Sequence, residues 1–375
     1  MSSEKLIAFG GYPLFREKID GISRYSYNIL GALARRNPNW KFIVLGFAEH
    51  EDRTNCLPQL ENIEAFFVPE KRRSYEVASL LRPKPIDHYL PTCPDFHLIP
   101  DLYTLPYLKS AKKILVVHDL VFRDFPQTMS LRNKLYLKKS VASSIRDATV
   151  VACISRFTQG RLMHYYKALL ESKTLLLAPN GVDRRFFKVP TLAEQQLLRE
   201  KYALPQNFYL SVGTLEPRKN LKYLTEAFLA LPYEERLARP LVLVGNSGWG
   251  EVVLPDDQTI QWTGYVDDKD LPKLYHLADA LLFPSKYEGF GLPPLEAMAA
   301  KIPVLSSEIA SVREFAGDLI DYFSLDDMPA LTKLLAQPLD SSSLEAAKER
   351  AYKLTWDNAV VQLEAYIAGA AEYNE

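Results

Sequence analysis

The chain has 375 residues, enough for two domains, and its 47% hydrophobic and 24% charged content is that of an ordinary globular protein. No apolar run approaches the roughly 20 residues that a membrane-spanning helix needs, which excludes a helical membrane protein. Met1–Gly10 reads as a short strand behind a polar tip rather than a secretion signal, so the expected location is the cytoplasm.

The net charge of −1 conceals a split. Residues 1–190 carry 29 Lys+Arg against 18 Asp+Glu, or +11, and residues 191–375 carry 16 against 28, or −12. The basic half suits an anionic partner such as a membrane or a lipid phosphate; attraction between the two halves explains the same numbers. Cys56, Cys93 and Cys153 are far apart and odd in number, so they give neither a disulfide framework nor a metal-ligand spacing. They read as reduced, mostly buried thiols.

In chain order, Lys5–Gly10 reads as a strand and Gly21–Arg36 as a helix, from the spacing of Ile22, Tyr25, Ile29 and Leu33. Strands are expected at Lys41–Gly46, Ile63–Val68, Ile114–Val117, Thr149–Ile154 and Thr174–Ala178, with helices at Ser130–Asp147 and Ser155–Leu170. Residues 180–191 read as a linker, punctuated by Asn180-Gly181 and Pro190. The second half repeats the alternation: strands at Phe208–Val212, Pro240–Val244, Asp279–Phe283 and Pro303–Ser306. Helices follow from about Asn220, around Leu295–Ala300, at Leu344–Lys353 and at Trp356–Ala371. Alternating βα units imply parallel sheets covered by helices, and two such blocks imply two Rossmann-like domains. In doubly wound sheets ligands bind at the carboxyl ends of strands.

The most informative segment there is Pro284-Ser-Lys-Tyr-Glu288-Gly289-Phe290-Gly291-Leu292-Pro-Pro-Leu-Glu296. Its glycines let backbone amides approach a ligand closely, a helix start favours anionic oxygens, and carboxylates accept hydrogen bonds from sugar hydroxyls. The residues describe a site for a phosphorylated sugar. Val212-Gly213-Thr214-Leu-Glu-Pro-Arg218-Lys219-Asn220 delivers two adjacent cations to a helix start. An arginine fork and a lysine point charge suit a leaving diphosphate, and such electrostatic stabilisation is usually the largest catalytic term. Asp268-Lys269-Asp270 has the form of a metal-binding D-x-D but reads as the acidic start of the helix beginning at Leu271.

The E-x7-E spacing within this segment resembles the signature of glycosyltransferase family 4, and the resemblance spans nearly the whole chain, residues 48–110 excepted. It implies a GT-B fold, with α/β Rossmann-like domains at 1–190 (acceptor) and 191–355 (nucleotide sugar) facing each other across a cleft. A last helix, 356–375, would cross back to the first domain. It implies that Glu288 meets the donor sugar, Glu296 the nucleotide ribose, and Gly289, Phe290, Gly291 and Leu292 the diphosphate or sugar. Gly213, Thr214, Arg218 and Lys219 then form the diphosphate region, where many relatives carry an arginine in place of Thr214. Tyr265 and Val266 belong to the loop that reads the base. His118 of His118-Asp119-Leu120 resembles the family's "HDL" histidine near the reaction centre, and Asp119 reads as its structural neighbour. Gly21 opens the first helix toward the donor, with Arg24 on the acceptor side. Ser155 and Thr158 resemble a helix cap, and Asn180–Asp183 the interdomain "NGVD".

The implied reaction is retaining transfer from a nucleoside diphosphate sugar to a hydroxyl of a lipid-linked or glycan acceptor, with catalytic residues His118, Arg218, Lys219 and Glu288, no metal, no cofactor and no nucleic-acid partner. The motif set looks most like bacterial polysaccharide mannosyltransferases, which makes GDP-mannose the expected donor. dTDP-rhamnose, a UDP-sugar, or an inactive nucleotide-sugar-binding subunit are the competing readings. The basic helix Leu131–Lys139, Lys71-Arg72-Arg73 and Lys112-Lys113 suggest contact with an anionic inner membrane surface.

Overall fold

The computed structural model describes residues 4–17, 19–79, 84–102, 107–126, 131–248 and 252–369. The chain divides into two compact units, residues 1–181 with 356–375, and residues 182–355. The division falls inside the stretch read as a linker.

The first unit is built on β1 (Lys5–Gly10), β2 (Trp40–Phe47), β3 (Ile63–Val68), β4 (Phe96–Ile99), β5 (Lys112–Val117), β6 (Val150–Cys153) and β7 (Thr174–Leu177). They form one parallel sheet in the order β3-β2-β1-β4-β5-β6-β7. Strands covered on both faces are near-continuously apolar, as Ile114–Val117 and Val150–Cys153 are, and both runs are fully buried. Chain direction across the sheet reverses between β1 and β4, so their carboxyl ends, Gly10 and Ile99, mark the switch point at which doubly wound sheets bind ligands.

The second unit is built on β8 (Tyr209–Val212), β9 (Leu241–Val244), β10 (Ile260–Gly264), β11 (Ala280–Phe283), β12 (Val304–Ser307) and β13 (Asp321–Phe323). It is again parallel, in the order β10-β9-β8-β11-β12-β13. Its core is Leu241 and Leu243 of β9, Leu282, Leu305 and the helix residues Leu224 and Phe228. The switch lies between β8 and β11. The loops that leave these two strands are the ones carrying Arg218-Lys219 and Glu288. Topology thus brings together two motifs 70 residues apart in sequence.

The α/β class is the expected one. Several elements differ. The helix Leu192–Tyr202 was not anticipated; it opens with a capping box of Thr191 and Glu194. The expected helix over 356–371 is two, Trp356–Ala359 and Val361–Ala368, and Ala371 lies outside the described residues. These helices are tied to the first unit: Trp356 meets the Tyr25 ring edge-on, the Leu177 amide donates to Gln362, and Arg36 pairs with Glu364 at 2.7 Å. The thiols are mostly exposed rather than buried, since only Cys153 is enclosed. No described helix is long and apolar enough to cross a membrane.

Candidate functional site

The second unit's site begins with three loops at the carboxyl ends of β8, β9 and β10. The Gly213 amide donates to Val244, the Leu215 amide to Asn246, the Gly248 amide to Leu215, and the Gly245 amide to Gly264. The Trp262 indole donates to the Gly245 carbonyl at 2.8 Å. This stitching leaves no room at Gly245: a β-carbon there would lie 2.0 Å from the Gly213 carbonyl oxygen, at a φ of +146°. Gly245→Ala is therefore expected to cost about 2 kcal/mol or more through backbone strain and to displace the Gly213 loop. A drop in the denaturation midpoint together with weakened ligand binding checks this.

The stitched loop delivers Pro217–Lys219 as a short 3-10 turn. Arg218 and Lys219 both reach Glu288. Arg218 Nη1 lies 2.7 Å from Glu288 Oε2, and Lys219 Nζ lies 2.7 Å from Oε1. Arg218 Nη2 pairs with Glu216 at 2.7 Å, and its Nη1 also donates to the Tyr287 carbonyl at 3.2 Å. The Lys286 amide donates to the Arg218 carbonyl, and the Ser311 hydroxyl to the Glu288 carbonyl. Both loops are thus fixed through backbone as well as side chains. Burial opposes the charge on Glu288, but Arg218 and then Lys219 outweigh it and hold its carboxyl at about 2. Burial is also the largest influence on Lys219 and lowers its ammonium despite Glu288.

Two consequences follow for the chemistry. Glu288 stays ionised at every working pH, so it is an acceptor only and no proton donor. Each of its oxygens already faces a cation, which blunts it as a nucleophile, yet a carboxylate's remaining lone pairs can take sugar hydroxyls.

Glu288 leads into Gly289, Phe290, Gly291 and the helix Leu292–Ala299. Gly291, the residue before the helix, has φ +101°, and a β-carbon there would meet Val312 at 2.6 Å. Phe290 stacks on Phe315 with ring centres 5.0 Å apart. Glu296 is buried, and its Oε2 accepts from the Tyr275 hydroxyl at 2.7 Å. Thr214 is exposed beside Gly213. Tyr265 is half exposed and Val266 buried, just after Gly264 at the end of β10.

The acids read as the start of a helix do not cap it. The helix Leu271–Tyr275 has no side-chain cap. Asp270 instead accepts from Lys201 at 2.7 Å and Tyr202 at 3.0 Å, and Asp268 pairs with Arg185 at 3.0 Å. Cations of the preceding segments claim these carboxylates. Among the described residues no group of three or more His, Cys, Asp or Glu is placed to hold a metal ion.

In the first unit, His118 directly follows β5 and is held from several directions. Its Nε2 donates to the Pro100 carbonyl at 2.7 Å, a bond in which Nδ1 takes no part. Tyr25 meets the ring edge-on at 4.7 Å, and Thr158 donates to the His118 carbonyl at 3.2 Å. Ser155 caps its helix by accepting from the Thr158 amide, and Asp119 accepts from the Val121 amide. Gly21 is exposed, with open space at its β-carbon position. The Ser23 amide beside it is already taken by Asp20, which Arg16 bridges to Asp101. Arg24 is half-buried one turn further on.

The basic patch is smaller than the sequence suggests. Lys113 is 4% exposed and pairs with Asp147 at 3.2 Å, so it faces no surface. Arg72 lies over the Tyr12 ring at 3.7 Å. Lys138 and Lys139 are exposed, while the side chains of 131–136, with residue 130, lie outside the described residues.

Glu216, Tyr275 and Ser311 were not anticipated. Glu216 stood in plain view two residues before Arg218; the other two reach the site only through the fold.

The model for glycosyl transferases group 1 matches residues 194–354. The chain is 30% identical over 382 residues to O-antigen chain mannosyltransferase B of Escherichia coli, covering 95% of this chain and 97% of the relative. It is 30% identical over 279 residues to the serotype-specific mannosyltransferase WbdA of E. coli, covering 66% of this chain and 32% of that one. Among solved structures, sucrose-phosphate synthase from Thermosynechococcus elongatus aligns with a TM-score of 0.72 at 17% identity over 96% of this chain and 98% of its own. WaaG, a glycosyltransferase involved in lipopolysaccharide biosynthesis, aligns with a TM-score of 0.70 at 19% identity over 97% and 100%.

Proposed function

The chain belongs to the glycosyl transferases group 1, and from that premise we propose that it transfers mannose from GDP-mannose, with retention, to a hydroxyl of a glycan acceptor in surface-polysaccharide synthesis. One observation carries the reading: a buried carboxylate, Glu288, held between Arg218 and Lys219 at the sheet's switch point, in front of a glycine-bearing helix start. That arrangement offers cations to a diphosphate and carboxylate lone pairs to sugar hydroxyls in one place. The mannosyltransferase names of relatives matched along the chain favour mannose.

In this reading Arg218 and Lys219 take the charge that develops on the leaving diphosphate, with Gly213, Thr214 and the 289–292 segment supplying further contacts. Glu288 orients the sugar, Glu296 holds the ribose, and Tyr265 and Val266 face the base. His118, with Nδ1 free of the Pro100 bond, accepts from a sugar hydroxyl, and Arg24 belongs to the acceptor side. With Glu288 unsuited to attack, the leaving phosphate oxygen takes the acceptor proton on the same face, so the configuration is kept and no metal is required. The acceptor is carried on a lipid at the inner membrane surface, toward which Lys138 and Lys139 contribute charge.

A thermal-shift panel of nucleoside diphosphates and their sugars in excess EDTA tests the donor. A ligand at a hundred times its Kd adds about 2.7 kcal/mol. GDP and GDP-mannose are expected to raise Tm by several degrees. A shift with dTDP- or UDP-sugars instead overturns mannose, and a shift that appears only when magnesium is restored overturns metal independence. Proton NMR of the product linkage checks retention.

A further inference from the structure

The donor site is not the positive pocket that Arg218-Lys219 implies. Arg218 spans two carboxylates, Glu216 through Nη2 and Glu288 through Nη1, each at 2.7 Å, and Lys219 takes the other oxygen of Glu288. Both carboxylates are buried, at 8% exposure each. Two cations and two anions cancel. A diphosphate entering this site meets a neutral cluster, and the guanidinium it needs is aimed by a side chain with no other assigned task.

We propose that Glu216 is a positioning residue for the transfer: it fixes the Arg218 guanidinium in the geometry that serves the transition state, at the cost of weaker ground-state binding of the diphosphate. The proposal rests on the reading of Arg218 as a diphosphate contact. Its physical basis is the fork. One face of Arg218 is pinned by Glu216, and the Nη1 edge by Glu288 and the Tyr287 carbonyl. Rotation about the last side-chain bonds is therefore blocked from both ends. Such preorganisation matters when charge develops, because donors already in place need no reorganisation at the moment of reaction. The same carboxylate repels the anion it helps to process. A charge near a buried site acts at an effective dielectric of about 20 rather than that of water, so its removal is felt in binding.

The two effects have opposite signs in Glu216→Gln. Loss of the charge is expected to tighten nucleoside diphosphate binding at least threefold, while loss of the anchor lowers kcat at least tenfold. Glu216→Asp keeps the charge but falls short of Arg218, so it is expected to lower kcat with no gain in binding. Kd for GDP by calorimetry, kcat and KM for GDP-mannose, and Tm are measured on all three proteins. Unchanged kcat in Glu216→Gln overturns the proposal. So does a parallel loss of Tm, binding and kcat, the mark of a purely structural ion pair. A wild-type protein that binds no nucleoside diphosphate overturns the function reading and this inference together, whereas wild-type binding with no kcat change in the variant overturns this inference alone.

Discussion

Glu288→Ala is expected to lower the transfer rate about a thousandfold, with a loss of stability of about 3–5 kcal/mol. The second figure is the usual cost of removing one partner from a buried ion pair and leaving the other charges uncompensated. Here Lys219 loses the carboxylate oxygen 2.7 Å from its ammonium, and Arg218 loses one of its two carboxylates while keeping Glu216 at 2.7 Å. Burial already lowers the Lys219 ammonium with Glu288 in place, so without it the lysine sheds its proton more readily and the site loses a cation as well as an anion. The rate estimate corresponds to about 4 kcal/mol of transition-state stabilisation, the scale of removing one preorganised polar group. Glu288→Gln separates the parts: it keeps the shape and one acceptor oxygen, so it should fold better than the alanine variant while remaining slow. The pH behaviour is fixed by the same geometry. The folded carboxyl is depressed to about 2, so its contribution to stability is fully present above the unfolded value near 4.5 and is lost as pH falls toward 2. No acid limb of the rate near pH 4.5 belongs to Glu288. Steady-state kinetics and denaturant midpoints of both variants check this, and transfer at the wild-type rate in Glu288→Ala sinks the assigned role.

The sequence carried the sheet-forming alternation because strands covered on both faces must be apolar, and runs such as Ile114–Val117 declare themselves. It hid the strands whose surroundings are mixed. β10, Ile-Gln-Trp-Thr-Gly, is an edge strand of intermediate burial, and β13 is only three residues long. The helix Leu192–Tyr202 leaves Leu192 and Leu197 largely exposed, so its apolar residues trace no buried stripe; its one local signal, the Thr191–Glu194 capping box, went unread. The site divides in the same manner. Arg218, Lys219 and Glu288 were legible as residue types at loop positions, and the topology explains why those loops meet. Their mutual neutralisation was not legible, because it depends on a pairing across 70 positions. The acids at 268 and 270 misled for the complementary reason: their partners Arg185 and Lys201 lie 83 and 69 positions away.

β4 was missed for a physical reason that yields its own expected result. Its sequence, Phe-His-Leu-Ile, is entirely buried, and the polar residue in its middle broke the apolar run. His97 is 1% exposed, and neither ring nitrogen has a partner among the described residues. Burial, reinforced by the nearby Lys113 and only weakly opposed by Asp87, lowers its pKa to about 3. The folded state therefore keeps His97 neutral, while the unfolded chain takes up a proton near 6.5. Stability is accordingly full above pH 6.5 and falls as pH drops from there toward 3, by roughly 4 kcal/mol over the whole window. At pH 4.5 roughly 2–3 kcal/mol of that is already gone. His97→Leu removes both the proton linkage and two buried, unsatisfied polar atoms. It is expected to stabilise the first unit by about 1–2 kcal/mol at pH 7 and by a further roughly 2–3 kcal/mol at pH 4.5. Native-state hydrogen exchange of the β4 and β5 amides, at both pH values and in both proteins, reads the first unit separately from the second. If protection falls equally with pH in the wild type and in His97→Leu, the acid lability has another source and the neutral-histidine account of β4 fails.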